Sequence, residues 1–279
     1  MAESLATGPR PGMRADLHAY RVLLGSRVRS QTSYRTGFVL DLIGQLGLAL
    51  LEFSEIYVLF HNIDTLGGLG LGAALLVFAL AHVSWSVADT LVGHTDQLPV
   101  FIRAGTLDAM LLRPLPALAQ LITSDLSLRR LSRTALALVV LAVSLPLAVD
   151  HWTIGKVVLL VVAPVAGAVI FAALFVAAAG AQFWLVDGAE LTNAFTFGSS
   201  YVASYPASVL HVLVRTFFSF VIPASFVAYL PALVLTGEPG PPGLPAWLGW
   251  CTPAMALLAW GAALLWWRTG LRHYTGAGG

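Results

Sequence analysis

Charged residues are scarce in this sequence, and their scarcity determines its class. Only 10% of the 279 residues are Asp, Glu, Lys or Arg, whereas 58% are hydrophobic. Apolar runs of about 20 residues recur along the chain, and such a run is long enough to cross the roughly 30 Å hydrocarbon core of a bilayer. The composition therefore excludes an ordinary soluble domain and predicts an all-α, polytopic membrane protein.

Cysteine and lysine are nearly absent. Cys251 is the only cysteine, so the chain forms no internal disulfide, and the cysteine count neither requires nor excludes an oxidising compartment. Lys156 is the only lysine, which makes 14 of the 15 basic residues arginine. Together with abundant Ala, Leu and Gly, this bias is typical of a GC-rich genome, and we expect a bacterial protein.

Sequence motifs for common catalytic sites are also missing. The chain contains no GxxxxGK[ST] phosphate loop, no His and Cys set with metal-ligand spacing, and no GxSxG nucleophile elbow. We therefore expect no catalytic residue, metal site or cofactor in this chain, and no hydrolysis of ATP by it. We expect membrane lipid as a partner and no nucleic-acid partner.

The apolar runs predict six membrane spans within a single transmembrane domain that covers residues 13–279. Residues 1–12 are a polar tail, and apolar residues at helical spacing among arginines over 13–28 predict an amphipathic interfacial helix. The segment 187–208 is interpreted as an interfacial connection on the cytoplasmic side. The six spans are predicted at about 36–60, 71–92, 132–149, 157–186, 209–236 and 248–267.

Basic residues set the orientation, because short loops rich in Arg and Lys stay in the cytoplasm. With six spans, 14 of the 15 basic residues fall on the side that holds both termini, and Lys156 falls on the other. Arg215 is counted with the 14, at the start of the fifth span. The sequence thus predicts a multi-pass protein of the cell inner (plasma) membrane with both termini cytoplasmic.

The segment 103–116 between the second and third spans predicts a helix of about two turns. Thr106 is expected to cap its start and Asp108 to lie in its first turn; Arg113 is expected in its last turn, and Pro114 stops it. Leu107, Met110 and Leu111 form one apolar face by their spacing. Two interpretations stay open: a helix that lies on lipid, or a helix whose face docks on a partner.

Two acidic residues lie within the first predicted span. Glu52 and Glu55 are one helical turn apart, and a carboxylate in hydrocarbon costs several kcal/mol, so both are expected to face protein or water. They would share a proton or recognise a cationic substrate, or else form a hydrogen-bonded pair inside the bundle or at its outer interface. In the fifth predicted span, Pro223 and Pro231 should each interrupt the backbone hydrogen bonds.

These features resemble a known family. GTLDAMLLRP over 105–114 resembles the G-x-(L/F)-D-x-x-L-x-RP signature of the six-span permeases of ABC-2 type (type 2 ABC) exporters. The arginine-rich start, the turn Leu66-Gly67-Gly68, and the P-x-x-F-x-x-Y-x-P pattern are similar to that family as well. The residues of this last pattern are Pro223, Phe226, Tyr229 and Pro231.

The resemblance implies an ATP-driven exporter of a hydrophobic or amphiphilic compound, a drug or natural product. It also implies that the loop helix docks in a groove on a separate ABC ATPase, which is present in two copies and binds ATP and magnesium. A second permease, identical or homologous, would complete the transporter. The pathway candidates are Glu52, Glu55, Pro223, Phe226 and Tyr229. The coupling candidates are Gly105, Thr106, Asp108, Leu111, Arg113 and Pro114.

Two other functions compete with this one. A secondary transporter would use Glu52 and Glu55 to couple protons or ions to substrate movement, and an integral membrane enzyme or assembly factor would need a polar cluster at one membrane face. Neither has a positive sequence motif. The identity of the substrate, and the choice between a homodimer and a heterodimer of permeases, lie beyond the sequence.

Overall fold

A computed structural model describes residues 35–124, 131–185 and 189–275. The regular secondary structure of these residues is helical, apart from an isolated β-bridge between Leu66 and Leu69. The predicted all-α membrane fold is confirmed at this level. The predicted tail 1–12 and amphipathic helix 13–28 lie outside the described residues.

Six helices run between the two ends of the bundle, and five of them match predicted spans. Three stretches in the described chain are long and apolar enough to cross a membrane, namely Leu71–Arg103, Ile154–Ala181 and Ala246–His273. The six helices are α1 (Arg35–Asn62), α2 (Leu71–Val92), α6 (Leu131–Ala148), α7 (Ile154–Ala181), α8 (Ala189–Ala203) and α12 (Thr252–His273).

Shorter helices occupy the two remaining long connections. The connector, residues 93–124, begins with a 3-10 turn over Gly93–Gln97 and continues as α3 (Leu98–Arg103), α4 (Thr106–Leu111) and α5 (Ala117–Ser124). Between α8 and α12 lie α9 (Val212–Thr216), a π-helical turn over Phe217–Val221, α10 (Ala224–Val227) and α11 (Tyr229–Thr236).

The ends of the bundle are distinguished by their loops. The turn end holds the loops 63–70, 149–153 and 237–245, and the connector end holds the connector together with residues 182–185. At the turn end, Thr153 caps α7 by accepting a hydrogen bond from the backbone N–H of Lys156 at 3.3 Å. At the connector end, the rings of Trp184 and Trp266 pack with centroids 4.9 Å apart, which joins the end of α7 to α12.

The structure corrects the predicted fifth span. Ser208 donates a hydrogen bond to the carbonyl of Gly67 at 2.7 Å, and Arg215 donates one to the carbonyl of Pro242 at 3.2 Å. Both acceptors lie in loops of the turn end, so the segment 209–236 starts and finishes at the same end of the bundle. The helix that connects the two ends here is α8, within the stretch 187–208 that was interpreted as a surface connection.

Two consequences follow for the prolines and the charge count. Pro223 lies at the break between the π-helical turn and α10, as predicted, whereas Pro231 lies in the first turn of α11, where a missing N–H breaks no helical hydrogen bond. Arg215 lies at the turn end and not with the other arginines. Lys156 and Arg215 are therefore the two basic residues at the turn end among the described residues.

The core is organised around α7, which packs between α2 and α12. Trp85 of α2 contacts Phe171 and Phe175 of α7 with ring centroids 5.1 and 5.0 Å away, and its ring also lies 5.2 Å from that of Phe197 on α8. Burial of aromatic rings of this size contributes most of the packing in such a cluster. The cluster fixes α8 against α2 and α7, and thereby positions the residues described next.

Candidate functional site

The short helix α4 of the connector starts differently from the prediction. Gly105 precedes it with φ 65°, in the left-handed region that favours glycine, and makes no side-chain cap. Thr106 is the first helical residue, and its hydroxyl donates to the carbonyl of Phe101 at 3.1 Å. The predicted cap at Thr106 is therefore replaced by a glycine turn that folds α4 back on α3.

The apolar face of α4 is divided between the bundle and solvent. Leu107 is fully buried beside Leu98, Leu121 and residues of α7 and α12. In contrast, Leu111 is 41% exposed and Leu112, which follows it, is 89% exposed. The prediction of one face over Leu107, Met110 and Leu111 is corrected: Leu107 anchors the helix, and Leu111 and Leu112 form an exposed apolar tip.

The charged signature residues flank this tip. Asp108 lies in the first turn of α4, as predicted, where a carboxylate is favoured by the helix dipole. Arg113 follows the helix and does not lie in its last turn; its backbone N–H donates to the carbonyl of Met110 at 3.2 Å. Arg113 and Pro114 are both exposed, so they extend the accessible surface of the tip.

Buried polar side chains hold the connector together. Gln120 of α5 donates to the carbonyls of Met110 and Leu115, each at 2.8 Å, which closes the loop after α4. His94 of the 3-10 turn is buried; its Nε2 contacts the carbonyl of Leu121 and lies 3.1 Å from the hydroxyl of Ser124. These bonds join both halves of the connector into one unit.

A second set of bonds ties the connector to the start of α8. Gln182 follows the end of α7 and is fully buried. Its side-chain amide donates hydrogen bonds to the carbonyl of Asp96 at 3.3 Å and to the hydroxyl of Thr192 at 2.9 Å. Asp96 belongs to the connector and Thr192 to α8. One amide group therefore bridges the connector, α7 and α8.

A cavity of about 250 Å³ lies between α1, α2, α6 and α8. The predicted acids Glu52 and Glu55 line it from α1, and aromatic rings line it from α2 and α8. Its other walls come mainly from apolar residues of α6. The residues that carry charge, hydroxyl groups or rings in the cavity are Glu52, Glu55, Phe78, His82, Trp85, Ser86, Arg133, Phe197, Ser200, Tyr201, Ser204 and Tyr205.

Glu52 and Glu55 have different partners in the cavity. Glu52 Oε1 lies 3.3 Å from Nη2 of Arg133 on α6, and Glu52 Oε2 lies 3.6 Å from Nδ1 of His82 on α2. Glu55 Oε1 accepts hydrogen bonds from the phenol groups of Tyr201, at 2.9 Å, and Tyr205, at 2.6 Å. Each acid therefore has its own set of partners on other helices.

The remaining pathway candidates do not line this cavity. Pro223 and Phe226 are buried, and the carbonyl of Phe226 accepts a hydrogen bond from Thr252 of α12 at 3.1 Å. Tyr229 is also buried and borders a smaller cleft at the turn end, together with Ser208 and Glu238. The structure thus separates the predicted pathway residues into two groups.

Comparison with protein families gives one match. The profile of a family described as ABC-2 family transporter protein matches residues 46–278, which is well over half of the chain. This chain belongs to the ABC-2 transporter family. It is therefore a membrane permease component of an ABC transporter, and the family implies a partner ABC ATPase. Neither curated proteins nor solved structures give a match.

Several residues of this ABC-2 transporter site were missed by the sequence analysis. Arg133 was counted only as a cytoplasmic charge, and Tyr201 and Tyr205 fell in a segment interpreted as a surface connection. The sequence did contain a signal for the helix that carries Tyr201. Ser200 and Tyr201 follow Phe197 by three and four residues, a spacing that places all three on one face of a helix.

Proposed function

We propose that this chain is the permease subunit of an ATP-driven exporter that moves a hydrophobic or amphiphilic compound out of the cell. The observation that carries the proposal is the exposed tip of the connector, formed by Leu111 and Leu112 on a support anchored by Leu107. An apolar tip on a fixed support suits docking into a groove of a separate ATPase, with Asp108 and Arg113 beside it to orient the contact.

The internal bonds of the connector support a coupling role. Because Gln182 joins Asp96 to Thr192, a displacement of the connector is passed to the start of α8. At its other end, α8 carries Tyr201, which lines the cavity. A packed helix moves as a unit, so closure of the ATPase would change the cavity without any contact between the two.

The orientation proposed for the chain follows from its arginines. Among the described residues, Arg103, Arg113, Arg268 and Arg272 lie at the connector end, whereas Lys156 and Arg215 lie at the turn end. This bias favours a cytoplasmic connector end. We propose a multi-pass protein of the inner (plasma) membrane with both termini cytoplasmic and six crossing helices, the fifth of which is α8.

The proposed transporter contains more than this chain. Two copies of the ATPase would bind ATP and magnesium, and a second permease, identical or homologous, would complete the membrane part. Purification of the tagged chain from its own membranes tests this composition, because stable partners remain bound. Recovery of the chain without any ATP-binding subunit would contradict the proposed assembly.

The proposal predicts that the purified chain does not hydrolyse ATP, because the sequence contains no phosphate-binding loop. Phosphate release from the chain alone should equal that of a blank preparation and rise only when the ATPase subunit is added. Turnover that survives removal of every contaminating ATPase would overturn the proposal. Proton-coupled flux in vesicles that contain this chain alone would favour the alternative, secondary transport through Glu52 and Glu55.

A second prediction concerns the bond between Gln182 and Thr192. Thr192→Val removes the hydroxyl that accepts from Gln182, and we expect export per ATP hydrolysed to fall about fivefold or more, within the range of energetic coupling between sites. Thr196→Val is the matched control, because within the described residues the buried Thr196 hydroxyl bonds to carbonyls of its own helix, those of Thr192 and Asn193. Equal losses in the two variants would contradict a coupling role for the bridge.

A further inference from the structure

We propose that the cavity between α1, α2, α6 and α8 binds the cationic group of an organic monocation with an apolar body, and that Glu55 selects its charge. This inference names the substrate class of the proposed exporter and rests on that function for its role in transport. The binding step itself depends only on this chain.

The charges around the cavity do not cancel. Among the described residues that line it, two carboxylates, those of Glu52 and Glu55, face one guanidinium, that of Arg133, and the sum is a net charge of −1 when His82 is neutral. Arg133 is paired with Glu52. The excess negative charge therefore belongs to Glu55, whose hydrogen-bond partners in the described chain are the phenol groups of Tyr201 and Tyr205.

The position of Glu55 makes this charge costly without a ligand. Glu55 is on α1, seven residues before the helix ends at Asn62, or about 10 Å along the helix axis. Ionisable side chains within a membrane helix are rare and mark substrate or ion pathways, because hydrocarbon penalises the charge. The two tyrosines solvate the carboxylate but do not neutralise it, which leaves an organic cation as the complementary occupant.

The aromatic walls favour the same chemistry. Phe78, Trp85 and Phe197 line the cavity together with the two tyrosines. The rings of Trp85 and Phe197 lie 5.2 Å apart, as do those of Tyr201 and Tyr205. Aromatic faces attract alkylammonium groups, and cages of such rings bind quaternary ammonium ions. A carboxylate beside the aromatic wall of an open cavity therefore distinguishes a cation from a neutral or anionic molecule of similar shape.

The volume limits the part of the ligand that is enclosed. A cavity of about 250 Å³ is smaller than the roughly 300–1,000 Å³ typical of sites for drug-sized ligands. It therefore suits the cationic head and one neighbouring ring or short chain, while the remaining apolar body extends along the apolar surfaces of α1 and α6. Benzyltrimethylammonium, a permanent cation with a single ring, is accordingly a suitable probe.

The test is equilibrium dialysis of radiolabelled benzyltrimethylammonium against the purified chain in dodecyl maltoside, a nonionic detergent without an ammonium group. We expect saturable binding that Glu55→Gln weakens at least tenfold, because glutamine keeps an acceptor for the tyrosines but loses the charge. Glu55→Asp should retain affinity within about threefold. The matched control is Glu238→Gln, which neutralises an exposed acid at the turn end outside the cavity.

Three further measurements complete the design. The neutral isostere neopentylbenzene should not displace the label. Thermal midpoints within about 2–3 °C of wild type would show that the variants are folded. Displacement by dihexanoylphosphatidylcholine would assign the site to a lipid headgroup, and its failure to displace would assign it to a free organic cation. Absence of saturable binding, or equal affinity in wild type and Glu55→Gln, would overturn the inference.

Failure of the inference and failure of the proposed function are distinguishable. Cation binding by a chain whose export does not depend on any ATPase would leave this inference standing and end the proposed function. ATP-dependent export in which Glu55→Gln moves a cationic compound as efficiently as wild type does would leave the proposed function standing and end this inference.

Discussion

Leu112→Asp is expected to abolish binding of the ATPase subunit to this chain. Leu112 is 89% exposed at the connector tip, so the substitution disturbs no packing within the chain. An apolar groove that covers leucine would have to bury an unpaired carboxylate, at a cost of about 3 kcal/mol or more, which is about a hundredfold in affinity. The measurement is the amount of ATP-binding subunit that co-purifies with the tagged chain from its own membranes.

The control for this experiment is Ile154→Asp. Ile154 is 87% exposed and lies at the start of α7, at the turn end, where an acid in the first helical turn is tolerated. Both substitutions place a carboxylate on an exposed apolar position, but only one does so at the connector. If Leu112→Asp retains the ATPase as well as Ile154→Asp does, the connector tip is not the docking surface.

Gly72→Ala is expected to destabilise the bundle strongly. A Cβ at Gly72 would overlap the backbone carbonyl of Leu147, at a contact between α2 and α6 near the turn end. A backbone group cannot move aside as a side-chain tip can, so the two helices must separate. Overpacking of this kind costs about 1–3 kcal/mol and should lower the midpoint of thermal unfolding in detergent.

The same substitution at Gly261 separates this effect from the general effect of alanine. Gly261 lies inside α12, and a Cβ added there meets no atom within 4 Å. Because alanine favours a helix over glycine by about 1 kcal/mol, Gly261→Ala should leave the midpoint unchanged or raise it. A midpoint for Gly72→Ala that equals that of wild type would show that α2 and α6 are not in close contact there.

Much of the fold was predictable because its signals are local. The span predicted at 71–92 coincides with α2, since Gly70 and Gly93 flank a long and mainly apolar stretch. The helix α8 was missed because its threonines and serines lower its hydropathy. In the structure these hydroxyls are satisfied within the helix, as where Ser199 donates to the carbonyl of Phe195 at 2.6 Å. A polar sequence was thus compatible with a helix that connects the two ends of the bundle and buries one face, with Thr192, Thr196 and Ser199.

The candidate site was only partly predictable for the opposite reason, that its contacts are distant in sequence. Glu52 and Glu55 were identified by their position in an apolar run. Their partners come from elsewhere: Arg133 is 81 residues from Glu52, and Tyr205 is 150 residues from Glu55. A pattern within one span predicts that an acid needs a partner, but not which helix supplies it.

The segment 209–236, which starts and finishes at the turn end of the bundle, has a consequence for the evolution of this chain. Losing one crossing helix would make the number of crossings odd and would place every later element on the opposite side of the membrane, including the arginines at the end of α12. A segment that returns to its own side leaves the number of crossings unchanged. Its mostly exposed part, residues 209–221, can therefore vary in length or sequence while α12 keeps its direction, whereas residues 222–235 are held by their burial in the core. In the proposed topology, residues 209–221 are where related permeases can diverge without reorienting the chain.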